Sequence, residues 1–295
     1  KYIKRPKKRQ VGLVICFGRL ANCCGHEIKR QIPDIYMVAT CRTNRRFPSR
    51  YRKTLITADL VFTNSRWASQ RVSTIRGVLP ARIRTLPNAL LRSELSHLVH
   101  TDATREQART SFGLKPSRPV ICMLAHFVPG KNQECLIRLL AERSLPTGTQ
   151  LLMVGGGPRL HFCKRLVRKL AKEEDVRFTG KLENISEAFH ASDLIVSTSL
   201  RDSMPNALVE AQAAGLPVIA YNVAGVGETF LHEQSGLLVP RGDARAMADA
   251  VCRLIESMEE RINYSQIARK QALASFNPDL ALSEYRKQIE FLFGH

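Results

Sequence analysis

The stretch 201-RDSMPNALVEAQAAGLPVIAYNVAGVGE-228 holds a helical pattern, a tight turn and a short apolar run in direct succession. Small and apolar residues over 206–215 predict a helix, the Gly-Leu-Pro turn ends it, and 217–221 is typical of a buried strand. Two carboxylates, Asp202 and Glu210, stand on either side of the helix start. A helix that leads into a buried strand indicates one unit of an α/β fold.

The same alternation of strand and helix continues on both sides of this stretch. Short apolar runs bounded by Gly or Pro predict buried strands, and the segments between them have helical spacing. The predicted strands are 119–125, 149–155, 176–180, 194–199, 217–221 and 236–240. The predicted helices are 132–144, 159–174, 185–193, 206–215, 227–235 and 243–260, the last with Asp243 as its N-cap. We therefore expect a Rossmann-like α/β domain with a parallel sheet covered on both faces.

The first part of the chain predicts about half of a second Rossmann-like domain. Four runs have strand character, at 11–17, 34–40, 60–65 and 83–88. Since the chain begins shortly before the first of these runs, we expect the opening βαβ units of this domain to be absent. The polar segment 101–118 is predicted as the boundary, which gives a partial domain over 1–110 and a complete one over 111–274.

The charge of the chain is unevenly distributed. Residues 1–90 carry 20 Lys or Arg but 3 Asp or Glu, so most of the net charge of +19 lies there. A basic half of this kind is typical of contact with an anionic membrane surface; a solvated face and nucleic acid are the alternatives. Nucleic acid is the least favoured, because interleaved aromatic residues and helix-turn-helix or zinc-finger spacing are missing. The sequence contains no run of 18 apolar residues, so we expect no transmembrane helix.

The chain has eight cysteines, and none forms a C-x-x-C pair. Several lie in apolar runs, where cysteine behaves as a small hydrophobic residue. This usage predicts buried structural cysteines in a reducing, cytoplasmic compartment rather than a disulfide scaffold or a zinc site.

The loops after the strands carry the candidate chemistry, because ligands of parallel α/β sheets bind at the carboxyl ends of the strands. Lys131 can meet a diphosphate, or it is a solvated lysine. Gly156, in GGGP, is a ligand contact or part of a tight turn. Free N–H groups over 206–208 can hold phosphate, with Ser203 or a neighbour capping the helix. Glu210 and Asp202 can accept hydrogen bonds from sugar hydroxyls, so the set fits a nucleotide-sugar, although an ordinary helix start has the same residue types.

The segment from about 119 to 256 resembles the donor domain of retaining glycosyltransferases of the GT-B fold, family 4. The family hallmark E-x7-E has its counterpart in D202-SMPNALV-E210, and the surrounding STSLRDSMPNALVEAQAAGLPVIA matches the family pattern closely. VGGGP, VRFTG, AGVGE and SGLLVPRGD follow in the family's order, and ADLVFTNS and IRTLPNAL resemble the end of its acceptor domain. ASFNPDLALSEYRKQIEFLF resembles the terminal helix, so residues 275–295 are expected to return to the first domain.

The resemblance implies a role for each matching residue. Lys131 would hold the donor diphosphate, Glu210 the ribose and Asp202 the transferred sugar. No metal or other cofactor would be needed, because Lys131 and helix N–H groups neutralise the leaving diphosphate. The donor-binding set that it implies is His126, Lys131, Gly156, Ser203, Met204, Pro205, Asn206, Ala207, Leu208 and Glu210, with Asp202, Glu210 and Arg42 as the catalytic group.

The chain departs from the family pattern at four places. Asp202 is one methylene shorter than the hallmark Glu, and His126 replaces a phosphate-binding Arg with a group that titrates near neutrality. Arg42 aligns with the catalytic His of many acceptor domains. The first two βαβ units of the family, with a glycine-rich loop, have no counterpart, so these 295 residues alone are expected to turn over poorly.

The expected function is a retaining glycosyltransferase that moves a sugar from a nucleotide-sugar donor. The expected acceptor is a cell-surface polysaccharide, such as lipopolysaccharide, or a lipid-linked glycan at the inner face of the plasma membrane. One alternative is a nucleotide-sugar 2-epimerase of the same fold, for which His26, Glu27 and Asp34 are the acid/base candidates before Asp59. The other is a truncated or degenerate member that binds nucleotide-sugar without turnover.

Overall fold

Strands and helices alternate along the chain and build two separate parallel sheets. The computed structural model describes residues 11–91, 98 and 101–294, and of Asp102 the backbone alone. The strands are β1 (Leu13–Cys16), β2 (Tyr36–Cys41), β3 (Leu60–Thr63), β4 (Ile83–Thr85), β5 (Val120–Leu124), β6 (Gln150–Val154), β7 (Val176–Gly180), β8 (Leu194–Ser197), β9 (Val218–Tyr221) and β10 (Gly236–Val239). The helices are α1 (Gly18–Gln31), α2 (Ser49–Thr57), α3 (Arg66–Ser73), α4 (Asp102–Ser111), α5 (Gln133–Ala141), α6 (Leu160–Lys169), α7 (Ser186–Ala191), α8 (Asn206–Ala213), α9 (Ala244–Glu256), α10 (Met258–Ser275) and α11 (Pro278–Glu290). The predicted α/β class and the ten predicted strands are confirmed.

The chain divides into two compact units. One comprises residues 1–87 and 282–295, and the other comprises residues 88–281. Helix α4, which runs across the predicted boundary at 110–111, packs on α7 in the second unit. It is held there by Arg109, which donates to the carbonyl of Ala191 at 2.9 Å and to Oδ2 of Asp193 at 2.7 Å.

The sheet of the first unit has the strand order β1-β2-β3-β4, with every pair parallel. Strand β2 is buried on both faces because α1 and α2 cover one side of the sheet and residues of the terminal segment cover the other. On that second side the ring of Tyr285 meets the ring of Phe62 edge-on, at 5.4 Å between centroids. Because β1, β2 and β3 are parallel neighbours, their carboxyl ends lie side by side at one edge of this sheet.

The sheet of the second unit has the order β10-β9-β8-β5-β6-β7, again with parallel pairs. The chain order reverses between β5 and β8, since β6 and β7 lie on one side of β5 and β8 to β10 on the other. A reversal of this kind opens a crevice at the carboxyl ends of the two strands, where α/β sheets bind ligands. Its apolar strands form the largest core of the described residues.

Two helix predictions need correction and one cap is confirmed. Residues 227–235 were predicted as a helix, but they begin with a 3-10 turn, Val226–Glu228, and continue in turns. The Ser235 hydroxyl accepts from the backbone N–H of Leu231 at 3.0 Å, and this local bond competes with helical pairing. Asp243 caps α9 as predicted, through the N–H of Ala246 at 2.9 Å. The helical segment from 243 breaks at Ser257, which caps α10.

All eight cysteines are free thiols, as the spacing indicates. Cys122 lies on β5 in the core, and burial raises its pKa to about 12, so its thiol stays protonated near neutrality. Four of the eight are buried, three are half-buried and Cys24 is exposed.

In the described part of the chain, no helix has both the length and the apolar character that a membrane crossing requires. The predicted basic surface of residues 1–90 is described from residue 11 onward, because residues 1–10 lie outside the described ranges. Residues 92–97, 99 and 100 of the predicted first domain also lie outside them.

Candidate functional site

The loops after β5 and β8 are joined at the point where the strand order reverses. Thr198, which directly follows β8 and is fully buried, donates its hydroxyl to the carbonyls of Lys131 at 3.2 Å and Asn132 at 2.8 Å. The N–H of Leu200 donates to the carbonyl of Gly130 at 2.9 Å. Both loops are thereby fixed to each other before any ligand arrives. The sequence analysis missed Thr198, although a hydroxyl directly after a buried strand is a usable signal.

Lys131 and Asp202, which were predicted to bind separate parts of a donor, form an ion pair with each other. Both side chains are half-buried, with 24% and 17% of their surfaces exposed. The second oxygen of Asp202 accepts from the N–H of Ser203 at 3.0 Å, which orients the carboxylate. A cation and a carboxylate are therefore held together at the mouth of the crevice.

Helix α8 begins directly beside this ion pair and has no side-chain cap. Pro205 occupies the N-cap position, where its ring offers no hydrogen-bond acceptor, and helix α8 starts at Asn206. The N–H of Leu208 donates a hydrogen bond to the carbonyl of Pro205 at 3.1 Å. An uncapped helix start with its positive dipole end is an arrangement that attracts anions.

Asn88 supports the approach to α8 from a distant part of the sequence. Its side-chain amide donates to the carbonyl of Met204 at 3.2 Å and to Oδ1 of Asn206 at 2.5 Å. Asn88 is 8% exposed, and both bonds bridge more than a hundred residues of sequence. No local sequence signal reveals such a contact, so the sequence analysis missed this residue.

The GGGP loop after β6 packs tightly against the loop after β5. A Cβ on Gly155 would lie 2.2 Å from the carbonyl oxygen of Ala125, and one on Gly157 would lie 2.6 Å from that of Phe127. Both glycines have positive φ, at 130° and 146°. The tight-turn interpretation of GGGP therefore has a direct steric basis at these two positions. Gly156 differs, since its neighbour is the flexible side chain of Lys181 at 3.4 Å.

The remaining predicted residues lie at three places. His126 sits beside the GGGP loop, with Cε1 3.0 Å from a Cβ built on Gly157, and its carbonyl accepts from Gln133 at 3.2 Å. Glu210 is half-buried on α8, one turn beyond the helix start. Arg42 follows β2 in the first unit. Burial raises the pKa of Tyr285, and the charge of Arg42 partly opposes this effect. Among residues 11–91, 98 and 101–294, no group of three or more His, Cys, Asp or Glu could hold a metal ion.

Comparisons with known proteins agree with this architecture. The structure superposes on Anabaena Alr3699/HepE in complex with UDP-glucose with a TM-score of 0.84 and 20% identity, over 96% of this chain and 79% of that one. The sucrose-phosphate synthase of Thermosynechococcus elongatus superposes with a TM-score of 0.84 and 22% identity, over 96% and 74% of the two chains. The predicted GT-B fold, with two Rossmann-like units, is thereby confirmed.

The sequence model described as "Glycosyl transferases group 1" matches residues 104–271. The chain belongs to this family. It is 29% identical to the N-acetyl-alpha-D-glucosaminyl L-malate synthase of Bacillus anthracis, over 61% of this chain and 47% of that protein. It is 30% identical to the GDP-mannose-dependent alpha-(1-6)-phosphatidylinositol monomannoside mannosyltransferase of Mycobacterium tuberculosis, over 65% of this chain and 51% of that protein. The chain thus spans about half the length of the curated relatives it matches.

Proposed function

We propose that the protein is a retaining glycosyltransferase that takes a sugar from a nucleotide-diphosphate sugar. The observation that carries the proposal is the ion pair of Lys131 and Asp202 beside the uncapped start of α8, at the reversal of strand order. This place offers a cation and helix N–H groups for a diphosphate, with carboxylates on both sides for hydroxyl groups. Membership of the group 1 family supports the same reaction class.

In the proposed reaction, the bond between the anomeric carbon and the diphosphate oxygen breaks, and a bond to an acceptor hydroxyl forms. The acceptor proton passes to the departing diphosphate. Lys131 and the first N–H groups of α8 stabilise the negative charge that develops on this leaving group. Glu210 binds the ribose and Asp202 the transferred sugar, which requires the Asp202 carboxylate to leave Lys131 when the donor enters. Arg42 would serve on the acceptor side, and His126 and Gly156 would line the donor site.

For the acceptor, we propose a lipid-linked glycan or a cell-surface polysaccharide. One relative is named for a phosphatidylinositol monomannoside acceptor, and one structural neighbour, WaaG, is described as involved in lipopolysaccharide biosynthesis. The basic residues of the first unit would bring the protein to the cytoplasmic face of a membrane, where such acceptors lie.

A second candidate is a member that binds nucleotide-sugar without turnover. The ion pair favours it, because Asp202 is held on the diphosphate cation and the family's Arg is His126 here. The 2-epimerase alternative has no comparable support, since Glu27, one of its acid/base candidates, is bound by Arg30 at 2.7 Å.

The first experiment is calorimetric titration with UDP, GDP and their sugar conjugates. We expect one nucleotide to bind, and Glu210→Ala to weaken it about tenfold or more because hydrogen bonds to a carboxylate are lost. Glu187→Ala, an exposed acid at the start of α7, is the matched control and should bind like the wild type. If no nucleotide binds, or if both variants lose the same affinity, the donor site is elsewhere or absent.

Turnover and stereochemistry are tested with the nucleotide-sugar that binds. Slow hydrolysis of the donor, followed by NMR, gives the anomer that is first released. Release of the donor's own anomeric configuration supports retention, and the opposite anomer contradicts it. Binding without consumption of donor supports the second candidate.

A further inference from the structure

The second unit has a cavity at the amino ends of β5, β8 and β9, at the edge of the sheet opposite to the candidate donor site. Pro119, Asp193 and Pro217 each directly precede one of these strands, and all three belong to the lining. Two adjoining cavities, of about 440 and 170 Å³, share Arg105, Asp193 and Arg261. Together we call them the amino-edge cavity. The larger one falls within the range of roughly 300–1,000 Å³ that is typical of sites for small molecules.

Two guanidinium groups share the carboxylate of Asp193 in this cavity. Arg105 pairs with Oδ1, and the buried Arg109 donates to Oδ2 at 2.7 Å. The N–H of Val120 donates to the same Oδ2 at 2.7 Å. Burial lowers the pKa of Arg109, Asp193 opposes this effect, and the charge of Arg105 adds to it. One of the two positive charges is therefore not compensated by the shared carboxylate.

Arg261 adds a third guanidinium group to the lining. Its Nη1 donates to the carbonyls of Leu254 at 2.7 Å and Ile255 at 2.8 Å, in the last turn of α9. These bonds hold the side chain in place and leave Nη2 and Nε available to a ligand. Carbonyl groups carry no formal charge, and within the described ranges Arg261 has no acidic partner.

The other charges near the cavity do not cancel this excess. Asp193 is the one acid among the lining residues, all of which the structure describes. Arg118, which also belongs to the lining, is paired with Asp175 at 2.5 Å. Glu259 and Glu260 lie in the first turn of α10 and outside the lining, and Glu260 is bound by an arginine of α9. Two formal positive charges therefore remain in the cavity.

Another part of the lining is apolar. Met258 and Ile262, which are one turn apart on α10, are 66% and 48% exposed. Leu216 and Pro217 line the same cavity and are buried. Exposed large apolar side chains beside uncompensated cations indicate a ligand that has both an apolar and an anionic part.

We propose that the amino-edge cavity binds a small organic anion, with a phosphate or carboxylate group on Arg105 and Arg261 and an apolar part on Met258 and Ile262. Arginine suits this task because its planar fork of donors matches the oxygens of both groups. Strand β8 runs from the cavity to the candidate donor site, so roughly 15 Å of strand lies between the two. The inference concerns a second site in the same unit and does not depend on the transferase proposal.

The test follows the Met258 methyl signal by NMR in the whole chain, labelled at its methionine methyl groups. The loss of this signal in Met258→Leu gives its assignment. Phenyl phosphate and benzoate are the probes, because they carry the two kinds of anion on the same ring. Inorganic phosphate and phenol are their counterparts, which lack the ring and the anion respectively. We expect a saturable shift with phenyl phosphate, benzoate or both, and binding of the two counterparts that is weaker by about fivefold or more.

The first variant is Arg105→Gln, which removes one cation from the lining. Asp193 keeps its bonds from Arg109 and Val120 in this variant, so we expect it to fold. It should bind the anionic probes about tenfold or more weakly, because a charged hydrogen bond is lost. Arg168→Gln is the matched control, since it removes the same charge from an exposed position on α6 in the same unit.

A second pair of variants leaves the arginines unchanged. Ile262→Glu places a negative charge in the lining and should weaken binding of the anionic probes by about fivefold or more, because like charges repel. Ile262→Gln has a side chain of the same length without the charge and should weaken binding clearly less. Circular dichroism verifies that each variant is folded.

Each outcome bears on the proposal. Loss in Arg105→Gln and in Ile262→Glu, with binding kept in Arg168→Gln, supports it, and the probe that binds more tightly names the kind of anion. The absence of a saturable shift with every probe, equal loss in both arginine variants, or equal weakening by the two Ile262 variants overturns it. Inorganic phosphate or phenol that binds as tightly as phenyl phosphate also overturns it. Lys131→Ala should leave the Met258 titration unchanged, and a loss there would assign the anion to the donor site and overturn the proposal.

Discussion

Lys131 and Asp202 form an ion pair with each other at the place where a diphosphate and a sugar are proposed to bind. A phosphate that approaches the Lys131 ammonium must take the place of the carboxylate. A partly exposed ion pair contributes only about 0.5–1 kcal/mol, so the exchange is feasible but opposes binding. The Asp202 carboxylate is therefore a competitor of the donor phosphate for Lys131, and the spacing of the sequence does not reveal this competition.

Asp202→Asn is therefore expected to bind free nucleoside diphosphate about two- to fivefold more tightly, because Lys131 is released. The sugar conjugate should gain less or lose affinity, since the carboxylate that accepts its hydroxyl is gone. Calorimetry with UDP, GDP and their sugar conjugates measures both. Asp175→Asn is the control, because its carboxylate pairs with Arg118 at similar exposures of 23% and 21%. Weaker diphosphate binding by Asp202→Asn would contradict competition.

Asn88 holds the backbone that leads into α8, next to the Lys131–Asp202 ion pair, through its hydrogen bond to the Met204 carbonyl. Asn88→Ala leaves the buried Met204 carbonyl and the Asn206 side chain without their donor, and we expect the free energy of unfolding to fall by about 1–2 kcal/mol. Diphosphate affinity should fall with it, whereas affinity for the nucleoside alone should not. A double-mutant cycle with Asn206→Ala separates the effect on position from general destabilisation. Additive losses of diphosphate affinity in the cycle would argue against a positioning role.

At the scale of elements, the GGGP loop is defined by contacts between backbones. Gly155→Ala would place a Cβ against the Ala125 carbonyl oxygen at a φ of 130°. We expect it to lower the free energy of unfolding by about 2 kcal/mol or more. A Cβ on Gly156 would meet only the flexible Lys181 side chain, so Gly156→Ala should change the free energy of unfolding by less than about 1 kcal/mol. Urea denaturation compares them, and equal effects would contradict this account.

The strands were predictable because they are short apolar runs between Gly and Pro, and VRFTG at 176–180 coincides with β7. The turn at 226–228 was not, because local hydroxyl bonds override a helical composition there. At the candidate site, the sequence placed Lys131 and Asp202 in loops that follow predicted strands. It could not reveal their ion pair, the Thr198 bonds or the contact of Asn88, because these depend on side-chain positions that only the folded chain defines.

At the scale of the whole molecule, the chain leaves the first unit after Pro87 and rejoins it at Leu282. The returning segment covers one face of the first unit's sheet, where Tyr285, Ile289 and Leu292 pack on a small core cluster. The cluster consists of Val38, Leu60, Phe62 and Leu86. The second unit is formed by one continuous stretch, 88–281.

Deletion of residues 282–295 is expected to destabilise the first unit selectively. Complete burial of a large apolar side chain contributes about 1.5–3 kcal/mol, so the partly buried Tyr285, Ile289 and Leu292 each contribute less than that. Their removal also exposes the cluster beneath. Hydrogen exchange should show faster exchange in β2 and β3, with β5 and β6 unchanged. Replacing the exposed Leu282 by Ser in the full chain is the control. Equal protection of β2 and β3 with and without the segment would refute this expectation.

The returning segment also sets an order of events during synthesis. A ribosome synthesises a chain from its amino end at about 5–20 residues per second. The stretch 88–281 is therefore complete while the first unit still waits for residues 282–295. During that interval the apolar face of Val38, Leu60, Phe62 and Leu86 is uncovered. The first unit is thus finished after the second, although most of it is made earlier, and until residues 282–295 are made its uncovered apolar face favours aggregation or binding by a chaperone.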